Sequence, residues 1–164
     1  MRKFLAASAA AITLLAIPQA WAATATDPDD VSGGLDVKTS AVRVVSVEPG
    51  VNRMRLVVTT YDPFDLSNGI GSFYWQIDSM GTGRPDYVAY MFGDPKADRG
   101  PLFCLLKARD RSLKQYVGVK QGASSFLCGF PKRYVQTTKP IRWRVASRQE
   151  GVVDRGPDIG WFSS

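Results

Sequence analysis

The chain has 164 residues, a formal net charge of +6 and no histidine. The absence of histidine excludes Ser-His-Asp and Cys-His triads in their usual form, and it excludes zinc or haem held through imidazole. The sequence also lacks a P-loop, a nucleophile elbow and a basic block with interleaved aromatic residues. We therefore predict that the protein is not an enzyme and has no nucleic-acid partner.

Residues 1–23 have the organisation of a secretory signal peptide. Two basic residues precede an apolar run over residues 4–17, and an A-x-A cleavage motif ends at Ala22. The alternative is a membrane anchor, but the run is shorter than the roughly 20 apolar residues that cross a bilayer. We predict cleavage after Ala22 or Ala23, and a secreted protein, extracellular or periplasmic, whose mature form has no membrane span.

Cys104 and Cys128 are the two cysteines of the chain. In an exported protein two cysteines allow a single pairing, which an oxidising compartment favours. The alternative is thiol or redox catalysis, but the sequence has neither a C-x-x-C motif nor a histidine that would activate a thiolate. The sequence therefore predicts a structural disulfide between Cys104 and Cys128.

From Leu35 onward, apolar and polar residues alternate in short segments separated by clusters of Gly, Pro, Asn and Asp. Such alternation is typical of strands that bury one face. About eight strands in a chain of this length predict one all-β domain over residues 35–164, an antiparallel β-sandwich or jelly roll. The clearest segments are residues 51–61, 72–78, 86–92, 101–108, 113–120, 124–130 and 140–147.

Two aromatic residues within these segments have a predicted side of the sheet. Trp143 lies between Ile141 and Val145 at a period of two, and Trp75 has the same pattern in its own segment, so both are predicted to face the core. The arginines at alternate positions of 142–148 are then predicted to face outward.

Residues 24–34 are polar and rich in turn-forming residues, and we interpret them as a flexible leader that precedes the domain. The alternative is an acidic site near the start of the mature chain. Its members would be Asp27, Asp29, Asp30 and Asp36.

Five motifs occur in a fixed order from about Asp27 to Phe162: DPDDVSGGLDVKT, RLVVTTYDPF, DSMGTGRPDY, IRWRVAS and DRGPDIGWF. In this order the chain resembles a group of small secreted bacterial proteins, common in actinobacteria, which are similar to DOMON-like and carbohydrate-binding-module-like β-sandwiches. The resemblance implies a single secreted β-sandwich domain. It does not imply an enzyme.

The third motif resembles a hairpin that in this group often reads D-T-D-G-D-G-x-P-D-Y, a spacing similar to that of a calcium loop. Asp78 and Asp86 match the outer acidic positions, whereas Met80 and Thr82 replace the inner ones. Calcium takes roughly six to eight oxygen ligands, and a thioether supplies none. We therefore predict a hairpin turn and no cofactor. The alternative is a reduced calcium site formed by Asp78, Thr82 and Asp86.

The candidate ligand-binding residues are Tyr61, Tyr74 and Tyr90, because sugar-binding modules use exposed aromatic rings as flat platforms. Tyr74 alternates with Trp75, so it is predicted to point away from the core. The alternative for Tyr74 is a half-buried strand residue without a ligand. Trp161, near the chain end, is predicted to fasten the terminus to the sheet.

Taken together, the sequence predicts a secreted, non-catalytic binding or interaction module. Its partner would be a glycan, an envelope polymer or another protein, and the outward arginines would suit an anionic polymer. One alternative is a hydrolase that uses carboxylates such as Asp62, Asp65 and Asp86. A structural envelope protein is the other alternative.

Overall fold

The structure is a computed structural model that describes residues 22–30, 35–94, 96, 100–109 and 114–164, with the backbone alone for residues 22 and 114–116. Nearly all of the predicted signal peptide and part of the predicted leader therefore lie outside the described residues. Within the described ranges, no helix combines the length and the apolar composition that a bilayer crossing requires.

The described chain is built almost entirely of β-strands, which confirms the predicted all-β antiparallel class. Two short 3-10 turns, Leu66–Asn68 and Lys132–Tyr134, interrupt the strands. The strands are β1 (Ala22–Thr26), β2 (Val37–Glu48), β3 (Val51–Thr60), β4 (Gly71–Asp78), β5 (Tyr87–Gly93), β6 (Leu102–Ala108), β7 (Lys114–Gln121), β8 (Ser125–Pro131), β9 (Arg142–Gln149), β10 (Val152–Gly156) and β11 (Phe162–Ser163).

All of these strands belong to one antiparallel sheet with the order β1-β2-β3-β8-β7-β6-β5-β4-β9-β10, and β11 pairs with β9. The sheet coils until β2 packs against β9 and β10, so it is nearly closed into a barrel. The two facing halves of the predicted sandwich are thus parts of one continuous sheet. They join at β7, which pairs with β6 on one side and with β8 on the other.

One hydrophobic core fills the space between the two halves. Phe73, Trp75, Phe126 and Trp143 are among its fully buried side chains, which confirms the predicted inward faces of β4 and β9. The indole Nε1 of Trp143 donates a hydrogen bond of 3.1 Å to the Ser40 hydroxyl on β2, inside the core. This bond connects β9 to β2 next to the place where the barrel nearly closes.

The last residues of the chain pair with the first residues of β9. Phe162 pairs with Trp143 in the β11–β9 ladder, and their ring centroids are 5.7 Å apart. Ser164 donates its backbone N–H to the Ile141 carbonyl, and its hydroxyl accepts the Ile141 N–H.

The predicted flexible leader is wrong for residues 24–26, because these residues are part of β1. Thr24 pairs with Ala41 and Thr26 pairs with Thr39, and the Asp27 N–H continues the ladder to the Lys38 carbonyl. The edge of β2 thus satisfies the backbone groups of this segment. The short Ala and Thr side chains carry too little apolar bulk to give the usual strand pattern.

The predicted disulfide between Cys104 and Cys128 is present, and it joins β6 to β8 across the intervening β7. Its Cα atoms are 6.0 Å apart. Strands two places apart in a flat sheet are roughly 10 Å apart, since neighbours are about 4.8 Å apart. The sheet therefore bends sharply at β7.

Reduction of this disulfide should lower the free energy of unfolding by roughly 3–4 kcal/mol, because the bond closes a loop of about 25 residues in the unfolded chain. Urea unfolding curves recorded with and without a reductant measure the effect. The Cys104→Ala/Cys128→Ala double variant is the control, since reductant should leave its midpoint unchanged. Equal midpoints for the oxidised and reduced wild-type protein would contradict this expectation.

Substitution Trp143→Ala should lower the free energy of unfolding by roughly 3–5 kcal/mol, because it empties a large buried aromatic site. Trp143→Phe keeps most of the ring and removes the hydrogen bond to Ser40, so its loss should be smaller. Arg148→Ala on the exposed face of the same strand should change stability by less than about 1 kcal/mol. Denaturant unfolding of the three variants measures their losses of unfolding free energy. A larger loss for Arg148→Ala than for Trp143→Ala would contradict the register of β9.

Candidate functional site

The outer face of β5, β4, β9 and β10 carries a row of aligned residues. Tyr74 pairs with Tyr90 on one side and with Ala146 on the other, and Ala146 pairs with Arg155. Directly paired residues of antiparallel strands point to the same face of the sheet. The row therefore places two tyrosines and an arginine around a short alanine side chain, and the surface dips at this alanine.

A second row lies beside the first, because Gln76 pairs with Arg144 two residues further along the strands. The Arg144 Nε donates a hydrogen bond to the Gln76 side-chain oxygen. The Arg144 guanidinium also lies 4.8 Å from the centroid of the Trp161 ring. These contacts hold the Arg144 head in place from two sides, as expected for a planar cation on an aromatic face.

Together the two rows form a groove of about 370 Å³, which we call the outer groove. Tyr74, Gln76, Arg144, Ala146 and Arg155 are among its lining residues. Tyr90 lies beside Tyr74, with ring centroids 6.3 Å apart and planes inclined by 30°. Tyr90 is 41% exposed, so the tyrosine pair offers a surface to solvent.

The lining of the outer groove combines the aromatic ring of Tyr74 with two guanidinium groups, and it contains no carboxylate. Aromatic faces suit the flat apolar side of a sugar ring. Guanidinium groups suit carboxylate or phosphate oxygens, which they bind through paired N–H donors. The groove is therefore chemically suited to an anionic ring compound.

Tyr61, the third predicted ligand-binding tyrosine, is not part of the outer groove. Its hydroxyl donates a hydrogen bond of 2.9 Å to the Asp27 carbonyl oxygen, and the Lys38 ammonium lies 5.3 Å from its ring centroid. Tyr61 therefore lies where the segment after β1 meets β2, and the structure brings together two of the three predicted tyrosines.

The predicted hairpin between β4 and β5 uses its carboxylates to hold its own backbone. Asp86 Oδ2 accepts the N–H groups of Ser79 and Met80, each at 2.9 Å. Asp78 accepts the N–H groups of Thr82 and Gly83, at 3.0 and 2.9 Å. Thr82, the third member of the reduced calcium site considered above, thus contacts Asp78 as a backbone donor.

Asp78 also forms an ion pair with Arg142 of β9, and its side chain is fully buried. Burial by itself raises the pKa of a carboxyl group. The hydrogen bonds from the Gly83 N–H, the Arg142 guanidinium and the Thr82 N–H outweigh that effect, so the pKa of Asp78 lies below its ordinary value. These donors stabilise the ionised carboxylate and occupy the side of it that faces the loop, which supports the hairpin interpretation.

Two of the three carboxylates considered for a hydrolase accept hydrogen bonds in separate turns of the chain. Asp65 accepts hydrogen bonds from the Ser67 N–H and the Gln121 side chain at the first 3-10 turn, while Asp86 holds the hairpin. Asp62 is exposed. None of the three belongs to the group of acidic residues that lies close together in the described part of the chain, which consists of Asp30, Asp36 and Asp154.

That acidic group includes two of the four aspartates considered for an acidic site near the start of the mature chain. Asp27 lies beside it and is also buried. Burial, followed by the charges of Asp154, Asp158, Asp30 and Asp36, raises the pKa of Asp27 to about 7. The carboxylates therefore repel one another across this part of the surface.

No protein-family model, no curated protein and no solved structure matches this chain. The sequence pattern predicts the two tyrosines and the outward arginines of β9 as surface residues, whereas Gln76 and Arg155 are not among the predicted site residues. Gln76 follows Tyr74 by two positions, so strand alternation alone places it on the same face. Arg155 had no such signal, since its place depends on the pairing of β10 with β9.

Substitution Asp78→Asn should lower the free energy of unfolding at neutral pH by roughly 2 kcal/mol, because a neutral amide replaces the charged acceptor of Arg142. The folded-state pKa of Asp78 is depressed, so its stabilisation is present above the ordinary carboxyl pKa of about 4 and is lost as pH falls through the folded value. The gap between wild type and variant should therefore shrink on acidification.

Urea unfolding curves at several pH values between neutral and acidic conditions measure this gap. Asp62→Asn is the matched control, because it removes an exposed carboxylate and should leave stability nearly unchanged at each pH. A gap that widens on acidification would show that Asp78 is not held in its ionised form.

Proposed function

We propose that the protein is a secreted, non-catalytic binding module and that the outer groove binds an anionic glycan or envelope polymer. The observation that carries the proposal is the aligned row of Tyr90, Tyr74, Ala146 and Arg155, with Arg144 beside it. In this row a sugar ring fits against the tyrosines while its acidic group reaches the arginines.

Preorganisation supports a binding role for Arg144. Its guanidinium is already fixed by Gln76 and by the Trp161 ring, so little side-chain freedom is lost when an anion binds. The Arg155 side chain is exposed and has no hydrogen bond or ion pair to the described residues, and it supplies a second cation to the groove lining. Two guanidinium groups around one depression favour a ligand with a carboxylate or phosphate over a neutral sugar.

The size of the outer groove indicates that only a short part of a polymer would contact it. Its volume of about 370 Å³ is at the lower end of the range for small-molecule sites, roughly 300–1,000 Å³. We infer that one or two sugar units of a polymer lie in the groove, and that further affinity comes from repetition along the polymer.

The secreted location and the resemblance to carbohydrate-binding-module-like sandwiches are part of the same proposal. The sequence of residues 1–23 and the disulfide support export to an oxidising compartment. A structural disulfide is also typical of proteins that have to remain folded outside the cell. A glycan ligand agrees with the resemblance, which on its own implies only a fold and a location.

The binding proposal predicts that the exported protein binds acidic oligosaccharides, such as oligomers of uronic acids, and binds neutral glucan oligomers at least about tenfold more weakly. Binding should weaken as salt is added, because exposed charges are screened. Isothermal titration calorimetry at two salt concentrations measures both effects. A glycan array on the same protein then ranks the acidic ligands.

Variants of the groove make the test specific. Tyr74→Ala and Arg155→Ala should each reduce affinity about tenfold or more, which corresponds to about 1.4 kcal/mol. Arg148→Ala removes an equal charge from β9 outside the groove lining and should leave affinity nearly unchanged. Equal losses for Arg148→Ala and Arg155→Ala would show attraction by net charge alone. Equal binding of acidic and neutral oligomers would contradict the role given to the arginines.

A further inference from the structure

Three carboxylates meet where the two ends of the coiled sheet approach each other, which we call the seam. Asp30 follows β1, Asp36 precedes β2 and Asp154 lies in β10, and one carboxylate oxygen of each lies within 4.8 Å of the others. Asp36 and Asp154 are buried, whereas Asp30 is exposed. Like charges this close in a partly buried place are unfavourable unless a cation or a proton is shared between them.

Asp27 adds a fourth carboxylate that points into the seam. Its side chain is only 5% exposed, and its Oδ2 has no hydrogen-bond partner among the residues that the structure describes. A Cβ placed on Gly156 would lie 3.2 Å from this Oδ2 and 3.4 Å from the Val37 side chain. The Asp27 carboxylate therefore lies between β10 and β2. Gly156 of β10 follows Asp154 by two residues, and Val37 of β2 directly follows Asp36.

A buried carboxylate oxygen without a donor is unfavourable, and this geometry indicates a missing positive partner. No lysine or arginine of the described ranges forms an ion pair with Asp27 or Asp154, in contrast to the Arg142–Asp78 pair at the hairpin. Asp154 is nevertheless held in position, because its Oδ2 accepts the Val37 N–H at 2.7 Å. This bond fixes one carboxylate of the seam relative to β2.

We propose that Asp27, Asp30, Asp36 and Asp154 bind a calcium ion at the seam. Calcium prefers carboxylate and carbonyl oxygens at about 2.3–2.6 Å. Two oxygens bound to one such ion are therefore at most about 5 Å apart, a limit that Asp30, Asp36 and Asp154 meet. The four side chains offer hard oxygen donors and no nitrogen or sulfur, so the site does not suit zinc or copper.

Calcium is also favoured over magnesium at the seam. Magnesium demands octahedral geometry at about 2.0–2.1 Å and keeps several of its waters. Carboxylates from three separate segments are better suited to the larger and more variable coordination of calcium. We therefore expect magnesium to bind more weakly than calcium.

The calcium ion would connect the two sides of the seam. Asp27 and Asp30 belong to the segment after β1, Asp36 leads into β2, and Asp154 belongs to β10, which pairs only with β9 among the described strands. Ion binding would thus join the first strands of the chain to the far edge of the sheet. This site does not depend on the outer groove or on its ligand.

Calorimetry and thermal unfolding of the exported protein test the proposal, after treatment with a chelator and dialysis. Titration with calcium chloride alone should give a one-site isotherm. At about 100 times the dissociation constant, calcium should raise the melting temperature by roughly 5–10 °C, and magnesium at the same concentration should raise it less.

The variants Asp27→Asn and Asp154→Asn should lose most of this calcium-dependent rise. Each replaces one carboxyl group of the crowded set by a neutral amide, so in chelator Asp27→Asn should melt at the wild-type temperature or above it. The amide oxygen of Asp154→Asn still accepts the Val37 N–H, which favours retention of the fold. Asp78→Asn is the control: it lowers the starting melting temperature but should keep the full calcium increment.

Three results would overturn the proposal. The first is the absence of heat and of any shift when calcium is added to the wild-type protein. The second is an unchanged calcium increment in Asp27→Asn. The third is an increment lost in Asp78→Asn and kept in Asp27→Asn, which would place the ion at the hairpin. If Asp154→Asn fails to fold, the wild-type titration and Asp27→Asn still decide.

Discussion

The sharp bend at β7 is the constraint on which the rest of this fold depends. The disulfide holds β6 and β8 closer together than a flat sheet allows. Because the sheet turns here, its two halves face each other and bury one common core. The same turn brings β2 against β9 and β10, so both the Trp143–Ser40 hydrogen bond and the seam depend on it.

Local patterns predicted much of this architecture, and long-range pairing explains what they missed. Alternation placed Trp75 and Trp143 inside and Tyr74 outside because side-chain direction in a strand repeats every two residues. The disulfide followed from the predicted export of the protein and from the presence of two cysteines in the chain. Strand register is set by residues far apart in the chain, so neither Arg155 beside Ala146 nor Asp154 beside Asp36 was visible in the sequence.

The buried residues Asp78 and Asp27 differ in how their surroundings stabilise the carboxylate. Asp78 receives two backbone N–H groups and a guanidinium, so its charge is compensated within the chain. Asp27 is equally enclosed, yet its Oδ2 receives no donor from the described residues and faces other carboxylates. In the hairpin that resembles a calcium loop in sequence, donors of the chain itself thus face the Asp78 carboxylate, whereas the Asp27 Oδ2 at the seam has no such donor among the described residues.

The final residues cover both faces of β9, and this arrangement links the chain end to two parts of the molecule. Phe162 packs on Trp143 in the core, while the preceding Trp161 lies over Arg144 at the outer groove. Removal of four residues by a carboxypeptidase would therefore loosen the core and one wall of the groove together.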